Sequence, residues 1–503
     1  MPILNSIINW INFKRIYEID LFKEHPVETQ REVLFELLDE AKNTAIGEKY
    51  DFSTITTEAE FKNRIPLQRY EDFAPFVDRL MKGEKNLLWP GEIKWFAKSS
   101  GTTNDKSKFI PVSKQSLEDV HYRGVKDVFA IYLKNNPESK VLSGKTLILG
   151  GSHQINQFNN NSYYGDLSAI LLENTPFWSD FYRTPATEVA LIEEFEEKVE
   201  KIIEQSVHEN VTALSGVPSW YLVLLRRVLE TTGKNNILEV WPNLEVFIHG
   251  GIKFDPYREQ FRKIIPSASM RYMETYNASE GFFAIQDDPL TDDMLLMLDY
   301  GIYYEFIPMD RFHDENPPAL SLDEIIPGEN YAMVISTNGG LWRYLIGDTV
   351  RFTSKNPYRI KITGRTKHFI NAFGEELIVD NAEEALKTAC ARTHANIREY
   401  TAGPIFMSDD NKGAHQWIIE FDQEPDDLDH FISVLDGTLK TLNSDYEAKR
   451  HKNLTLERPD LIVAPKNLFY KWMKARGKMG GQNKIPRLSN DRKYLDELLD
   501  LFD

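Results

Sequence analysis

Hydrophobic and polar positions along the chain change period several times, and those changes mark out its elements. Between Glu28 and Lys42, apolar residues at Val33, Leu34, Phe35, Leu37, Leu38 and Ala41 recur on one helical face. Short apolar runs ended by turn residues then alternate with helical patterns. The run from Lys145 to Leu149 stops at Gly150-Gly151, and the run from Leu244 to Ile248 stops at His249-Gly250-Gly251. Tyr303 to Ile307 and Tyr331 to Ile335 also read as strands, while Ala190 to Gln205 and Ser219 to Glu230 read as helices. Strands alternating with helices predict an α/β body with additional antiparallel pieces in the middle third. After Ile362-Thr363-Gly364-Arg365 the pattern resumes on a smaller scale. Helices are expected from Asp380 to Cys390 and from Leu428 to Leu442, a strand from Gln416 to Phe421, and a charged helix from Asp491 to Leu501. The expected organisation is a large unit, residues 1–365, and a smaller α/β unit, residues 366–503.

The apolar opening from Met1 to Ile11 is interrupted by Asn5, Ser6 and Asn9 and lacks the basic start and small-residue cleavage site of a signal peptide. It reads as an amphipathic helix packed on the body. No apolar run approaches the roughly 20 residues that span a bilayer. At 503 residues, 42% hydrophobic and 27% charged, the chain has ordinary globular composition. Its 59 Lys+Arg against 77 Asp+Glu give a net charge of −18, which disfavours general binding to nucleic acid or anionic lipid. Cys390 stands alone, so an internal disulfide is excluded and a reducing cytoplasm fits best. The eleven histidines form no His-Glu-x-x-His pairing, and no transition-metal site is expected.

Four stretches carry candidate chemistry. Ser99-Ser100-Gly101-Thr102-Thr103-Asn104-Asp105-Lys106-Ser107-Lys108 packs hydroxyls, backbone donors and lysines into a small volume, as polyphosphate binding requires; a solvated Ser/Thr turn fits it equally. Tyr272 to Gly281 offers an aromatic followed by small polar residues and a carboxylate, Glu280. One carboxylate suffices for a phosphate-bound Mg²⁺, although a strand end with a capping glutamate has the same pattern. Trp342 to Val350 contains Gly347-Asp348, a turn carboxylate able to accept both ribose hydroxyls, or an ordinary hairpin turn. Gly477 to Arg487 is a glycine-rich loop carrying Lys484, suited to a cation that enters a site when the loop docks, or to a flexible basic surface.

In this order, from Ser99 to Arg487, the four stretches resemble the adenylate-forming superfamily of acyl-CoA ligases, adenylation domains and luciferases. Within it, the Ser-Ser-Gly-Thr-Thr loop and the Gln482-x-Lys484-x-Pro486-Arg487 ending are similar to the Gretchen Hagen family of acyl-acid amido synthetases. The sequence departs from the superfamily pattern at Asn104, at Asn277-Ala278 and at Leu345-Ile346, which separates Arg343-Tyr344 from Gly347-Asp348.

The resemblance implies a large N-terminal adenylate-forming domain of mixed sheets flanked by helices, with a β-barrel-like part, and a smaller mobile C-terminal α/β domain. It implies ATP and Mg²⁺, a small carboxylic acid and an amino acid as partners, and an acid–amino acid ligase that releases pyrophosphate and then AMP. It places phosphates on Ser99, Thr102, Thr103 and Lys108, adds Ser100, Gly101 and Ser279 to the nucleotide site, and places the metal on Glu280, adenine against Tyr276 and ribose on Asp348. Lys484 and Lys108 are its catalytic cations, and Arg365 and Lys367 lie at the hinge, with Arg365 also facing the nucleotide. Val217, Trp220, Phe247, His249 and Gly250 are expected around the acid's hydrophobic body, where plain core packing fits as well. Acyl transfer to coenzyme A and a non-catalytic ligand-binding relative are the alternatives, and a monomer is the default expectation.

Overall fold

The structure, a computed structural model, describes residues 14–99, 108–150, 155–159, 162–175, 177–192, 194–366, 369–408, 412–451, 455–476 and 486–502. The helix expected at Met1 to Ile11 lies outside them, as do Ser100 to Thr103, Lys367 and Lys484.

Among the described residues, eleven strands form one long sheet with two characters. One half is parallel: Arg183–Thr184, Lys145–Ile148, Val211–Gly216, Val246–His249 and Arg271–Ala278 lie side by side in that order. Helices such as Pro218–Thr232 link these strands; this one starts on Pro218 at its first turn and ends at Gly233 in the left-handed conformation, φ +65°. The other half is antiparallel and runs through Gly281–Ile285, Met294–Leu296, Tyr358–Arg365, Tyr344–Lys355, Asn330–Thr337 and Ile302–Pro308. The barrel-like part expected from the sequence is this open half, and no described sheet closes on itself. A smaller four-stranded sheet carries Trp95–Ser99 and Lys108–Val112 as an antiparallel pair.

Two apolar cores follow from this split. The helix Pro26–Ala41 buries Val33, Leu34, Leu37, Leu38 and Ala41 against the antiparallel half. Its polar Gln30 is accommodated there because its amide donates to the Leu298 and Ile302 carbonyls at 2.8 and 2.9 Å. The second core joins the parallel half to the C-terminal unit, where Phe247, Tyr257 and Phe261 share a cluster with Phe373, Leu377, Trp417 and Leu435. Polar contacts cross the same junction. Tyr257 donates to the Ala372 carbonyl at 2.5 Å, and Arg226 donates to the Ser408 carbonyl at 3.2 Å. The C-terminal unit pairs Asn396–Ile405 with Ala414–Gln423 and packs the helices Val379–Thr393 and Leu428–Leu442 beside them.

Candidate active site

Parallel strands present their carboxyl ends to one side of a sheet, and the crevice beyond those ends is where open α/β folds bind ligands. Here Val246–His249 ends in Gly250-Gly251, and Arg271–Ala278 ends in a tight turn through Ser279 and Glu280. Gly250 fits because any Cβ would come 2.5 Å from the Thr275 carbonyl oxygen. A cavity of about 1090 Å³ opens at these ends, bounded by the first antiparallel strands and the start of the C-terminal unit. That volume accommodates a nucleotide together with a second substrate.

The wall is built from residues of several elements. Ser99 and Lys108 are cross-strand partners, the last pair of their antiparallel strands, and both line the cavity. The half-buried Lys108 ammonium sits 3.4 Å from the Tyr344 hydroxyl and 5.9 Å from the ring centres of both Tyr70 and Tyr344. Burial depresses its pKa, with Glu280 pulling the other way. Glu280 is pushed up to about 7 by burial, opposed by Lys108 and reinforced by the Asp348 charge. A carboxyl so placed, facing a single lysine in a polar cavity, suits a hard divalent cation that takes its remaining ligands from phosphate and water. Among the described residues there is no group of three or more His, Cys, Asp and Glu side chains placed to hold a metal.

Asp348 lies within the strand Tyr344–Lys355 rather than in a hairpin turn, which corrects the reading of Gly347-Asp348 as turn residues. Gly347, at φ +95°, kinks the strand so that the carboxylate stands at the cavity wall. It is buried, accepts from the Tyr276 hydroxyl at 2.5 Å and pairs with Arg365 Nε at 3.0 Å. Arg365 in turn forks onto both oxygens of Glu376 at 3.2 and 2.9 Å. Burial opposes the charge on Arg365, but Glu376 and Asp348 outweigh it and raise its pKa. The result is a chain from Tyr276 through Asp348 and Arg365 to Glu376, spanning both units along one wall.

Other expected residues sit elsewhere. Arg343 faces away from the cavity: its guanidinium forks onto Glu305 at 2.9 and 2.8 Å and caps the Lys62 and Ile65 carbonyls. Phe247 is fully buried, its ring 4.9 Å from both Tyr221 and Phe261. His249 is buried and stacks on Phe254 at 4.3 Å; burial, then the Arg258 charge, lowers its pKa to about 3. Val217 and Trp220 are half-buried beside the same core, and the Lys449 ammonium lies 4.0 Å from the Trp220 ring centre. None of these lines the cavity, whereas Gly251 and Ile252, just past Gly250, do. The sequence reading passed over Glu274 and Tyr70, which also line it, because each sits in an apolar–polar pattern common to any element.

Comparison with known proteins identifies the family and the fold. The chain matches the GH3 family N-terminal domain over residues 15–270, the central domain over 295–365 and the C-terminal domain over 380–493. An indole-3-acetic acid-amido synthetase GH3.4 of Arabidopsis thaliana is 23% identical, with 68% of this chain and 67% of that protein covered. A jasmonoyl-L-amino acid synthetase JAR4 of Nicotiana attenuata is 21% identical, covering 67% and 68%. The fold is shared with the solved GH3.15 acyl acid amido synthetase, TM-score 0.59 at 17% identity over 94% of this chain and 93% of that one. A 2-hydroxyisobutyryl-CoA ligase superposes with TM-score 0.59 at 12% identity over 95% and 92%. With its three domains matched in order across most of its length, the chain belongs to the GH3 family, known also as the Gretchen Hagen family.

Proposed function

We propose that this protein is an acyl-acid amido synthetase that activates a small carboxylic acid with ATP and passes the acyl group to the amine of an amino acid. The observation that carries the reading is the convergence of Ser99, Lys108, Tyr276, Glu280, Asp348 and Arg365 on one cavity in a chain of this family. A carboxylate is a poor acyl donor because its oxygen leaves badly; attack of that oxygen on the α-phosphorus of ATP expels pyrophosphate and gives an acyl adenylate, from which the incoming amine expels AMP. The protein's share is positioning and charge neutralisation.

In this reading Asp348 accepts the ribose hydroxyls, and Tyr276, fixed by its bond to Asp348, packs against adenine. Ser99, with Ser100, Gly101, Thr102, Thr103 and Ser279, surrounds the phosphates. Lys108 neutralises their charge; burial at the cavity wall depresses its pKa, and an anion beside it favours its charged form. Glu280 would hold Mg²⁺, which contributes further charge neutralisation when bound. Lys484, from the C-terminal unit, completes the cationic set, and Arg365 marks the boundary between residues 1–365 and 366–503. The amino acid acts as an external nucleophile, so no protein nucleophile is required. The acid's body lies toward Gly251 and Ile252, with Val217 and Trp220 behind them.

No helix among the described residues is long and apolar enough to cross a membrane. A cytoplasmic monomer acting only on small molecules completes the proposal.

Product analysis tests it. Purified protein with ATP, Mg²⁺ and a panel of aromatic and aliphatic acids should form an amide only when amino acids are added. A thioester formed with coenzyme A and no amide would overturn the acceptor assignment. ATP binding without any acid-dependent pyrophosphate would overturn the enzymatic one.

A further inference from the structure

Lys449 takes no part in the chemistry described above, yet it is a buried cation at the junction of the two units, only 9% exposed. It lies in the last turn of the helix Ser444–Arg450 and reaches across to the helix Pro218–Thr232, where its ammonium stands 4.0 Å from the Trp220 ring centre. Gly374, at φ +89°, makes room for it, since a Cβ there would come 3.3 Å from Lys449 Cε and 3.7 Å from Nζ. Among the described residues the ammonium makes no hydrogen bond and no ion pair. A ring face attracts a cation but leaves its three N–H donors without an oxygen. A buried charge in that position is costly until an anionic oxygen completes it.

The protein's own carboxylates do not supply that oxygen. Burial lowers the Lys449 pKa, and Asp445 on its own helix, Asp166, Glu375 and Glu376 pull the other way from longer range. Glu375 is held by the Ala372 and Phe373 N–H groups and by His415, and Glu376 by Arg365. The place of the lysine suggests what does. Val211–Gly216 and Val246–His249 are neighbouring parallel strands, and Trp220 lies in the first turn of the helix that follows the former. It therefore borders the same sheet edge as the nucleotide cavity, one strand along. Glu376, two residues from Gly374, lines that cavity. An amine must reach the acyl carbon while the AMP moiety still fills the nucleotide cavity, so the acceptor's site belongs beside that cavity and outside it.

We propose that Lys449, seated on Trp220, binds the α-carboxylate of the acceptor amino acid and so selects amino acids over amines that lack a carboxylate. The inference rests on the reading of this protein as an acyl-acid amido synthetase. With the carboxylate fixed there, the neutral amine forms the C–N bond as the C–O bond to AMP breaks, and its surplus proton leaves to water.

A comparison of acceptors in the intact protein tests this. Amide formation is measured with ATP, Mg²⁺, an acid that supports it, and either the most productive L-amino acid or the α-carboxamide of that same amino acid. The preference for the carboxylate is the ratio of kcat/KM for the two acceptors. It should fall at least about tenfold in Lys449→Met, through a higher KM for the amino acid. The acceptors differ in amine basicity, but that difference is common to both proteins and cancels. A preference unchanged in the variant would overturn the proposal; if the KM for the acid in pyrophosphate exchange rose instead, the ammonium would belong to the acid. If wild-type protein joins no amino acid to any acid, the synthetase reading itself fails and takes this inference with it. Should Lys449→Met fail to fold, the wild-type protein decides: equal use of the two acceptors, at equal concentrations of unprotonated amine, overturns the proposal.

Discussion

Arg343 and Arg365 make the same bond in two different places. Each forks its guanidinium onto a glutamate, Arg343 onto Glu305 and Arg365 onto Glu376. The Arg343 pair is sealed, with side chains 7% and 1% exposed, and its remaining donors cap two backbone carbonyls. The Arg365 pair is 22% and 28% exposed, lines the cavity and shares its guanidinium with Asp348. The first pair satisfies every group it buries and has nothing left for a ligand. The second lies on the cavity wall, where a ligand can reach it. Residue type therefore does not separate a structural ion pair from a functional one; access does.

Cutting the sealed fork should have the largest effect. Arg343→Leu leaves Glu305 buried without a counter-charge, and urea unfolding should show a loss of about 3–5 kcal/mol, with the protein that remains folded still binding ATP. Wild-type stability would make the pair dispensable and erase the contrast. Asp348→Ala should do the reverse. Acid-dependent pyrophosphate release is expected to drop roughly 100- to 1000-fold, while unfolding shifts by only about 1–2 kcal/mol. A large stability loss with activity retained would move Asp348 into the sealed class.

A third test concerns His249, expected from sequence near the acid and found inside an aromatic core. Its folded pKa, about 3, lies below its ordinary value of 6.5, so the unfolded chain binds the extra proton first. Stability should then fall on acidification below pH 6.5, by up to about 1.4 kcal/mol per pH unit from this residue. In His249→Phe that share of the slope should vanish, with turnover near pH 7.5 within roughly twofold of wild type. An unchanged slope would mean the imidazole reaches water. The smallest effect belongs to Tyr276→Phe, which removes one hydrogen bond to Asp348. ATP affinity should weaken by roughly three- to tenfold, corresponding to about 0.5–1.5 kcal/mol, and a calorimetric titration reads it directly.

Much of the fold was legible because periodicity reports burial. The helix expected from Leu428 to Leu442 appears with those bounds, and the expected strands from Tyr303 to Ile307 and Tyr331 to Ile335 form the cores of Ile302–Pro308 and Asn330–Thr337. The polar side of the site was legible for a different reason. Each stretch alone fitted a plain turn or strand end as well, but the four in order resembled a family, and that resemblance singled out Ser99, Lys108, Tyr276, Glu280 and Asp348, which the fold brings to one cavity. The acid's pocket was not legible, since Phe247 in a core and an aromatic in a pocket obey the same pattern. Glu274 was hidden too, because alternation in a strand reads a glutamate as facing solvent. The joined second core was equally invisible, since periodicity shows which face is buried and not what covers it.

Acid-dependent exchange of labelled pyrophosphate into ATP tests the central claim most directly, because it reports the activation step alone and needs no acceptor. With Mg²⁺ and a broad acid panel, the wild-type protein should catalyse exchange with at least one acid. Asp348→Ala should lose it while remaining folded. Exchange that persists undiminished in Asp348→Ala, or no exchange by wild-type protein that binds ATP, would contradict the assignment of this cavity as the site of acid activation.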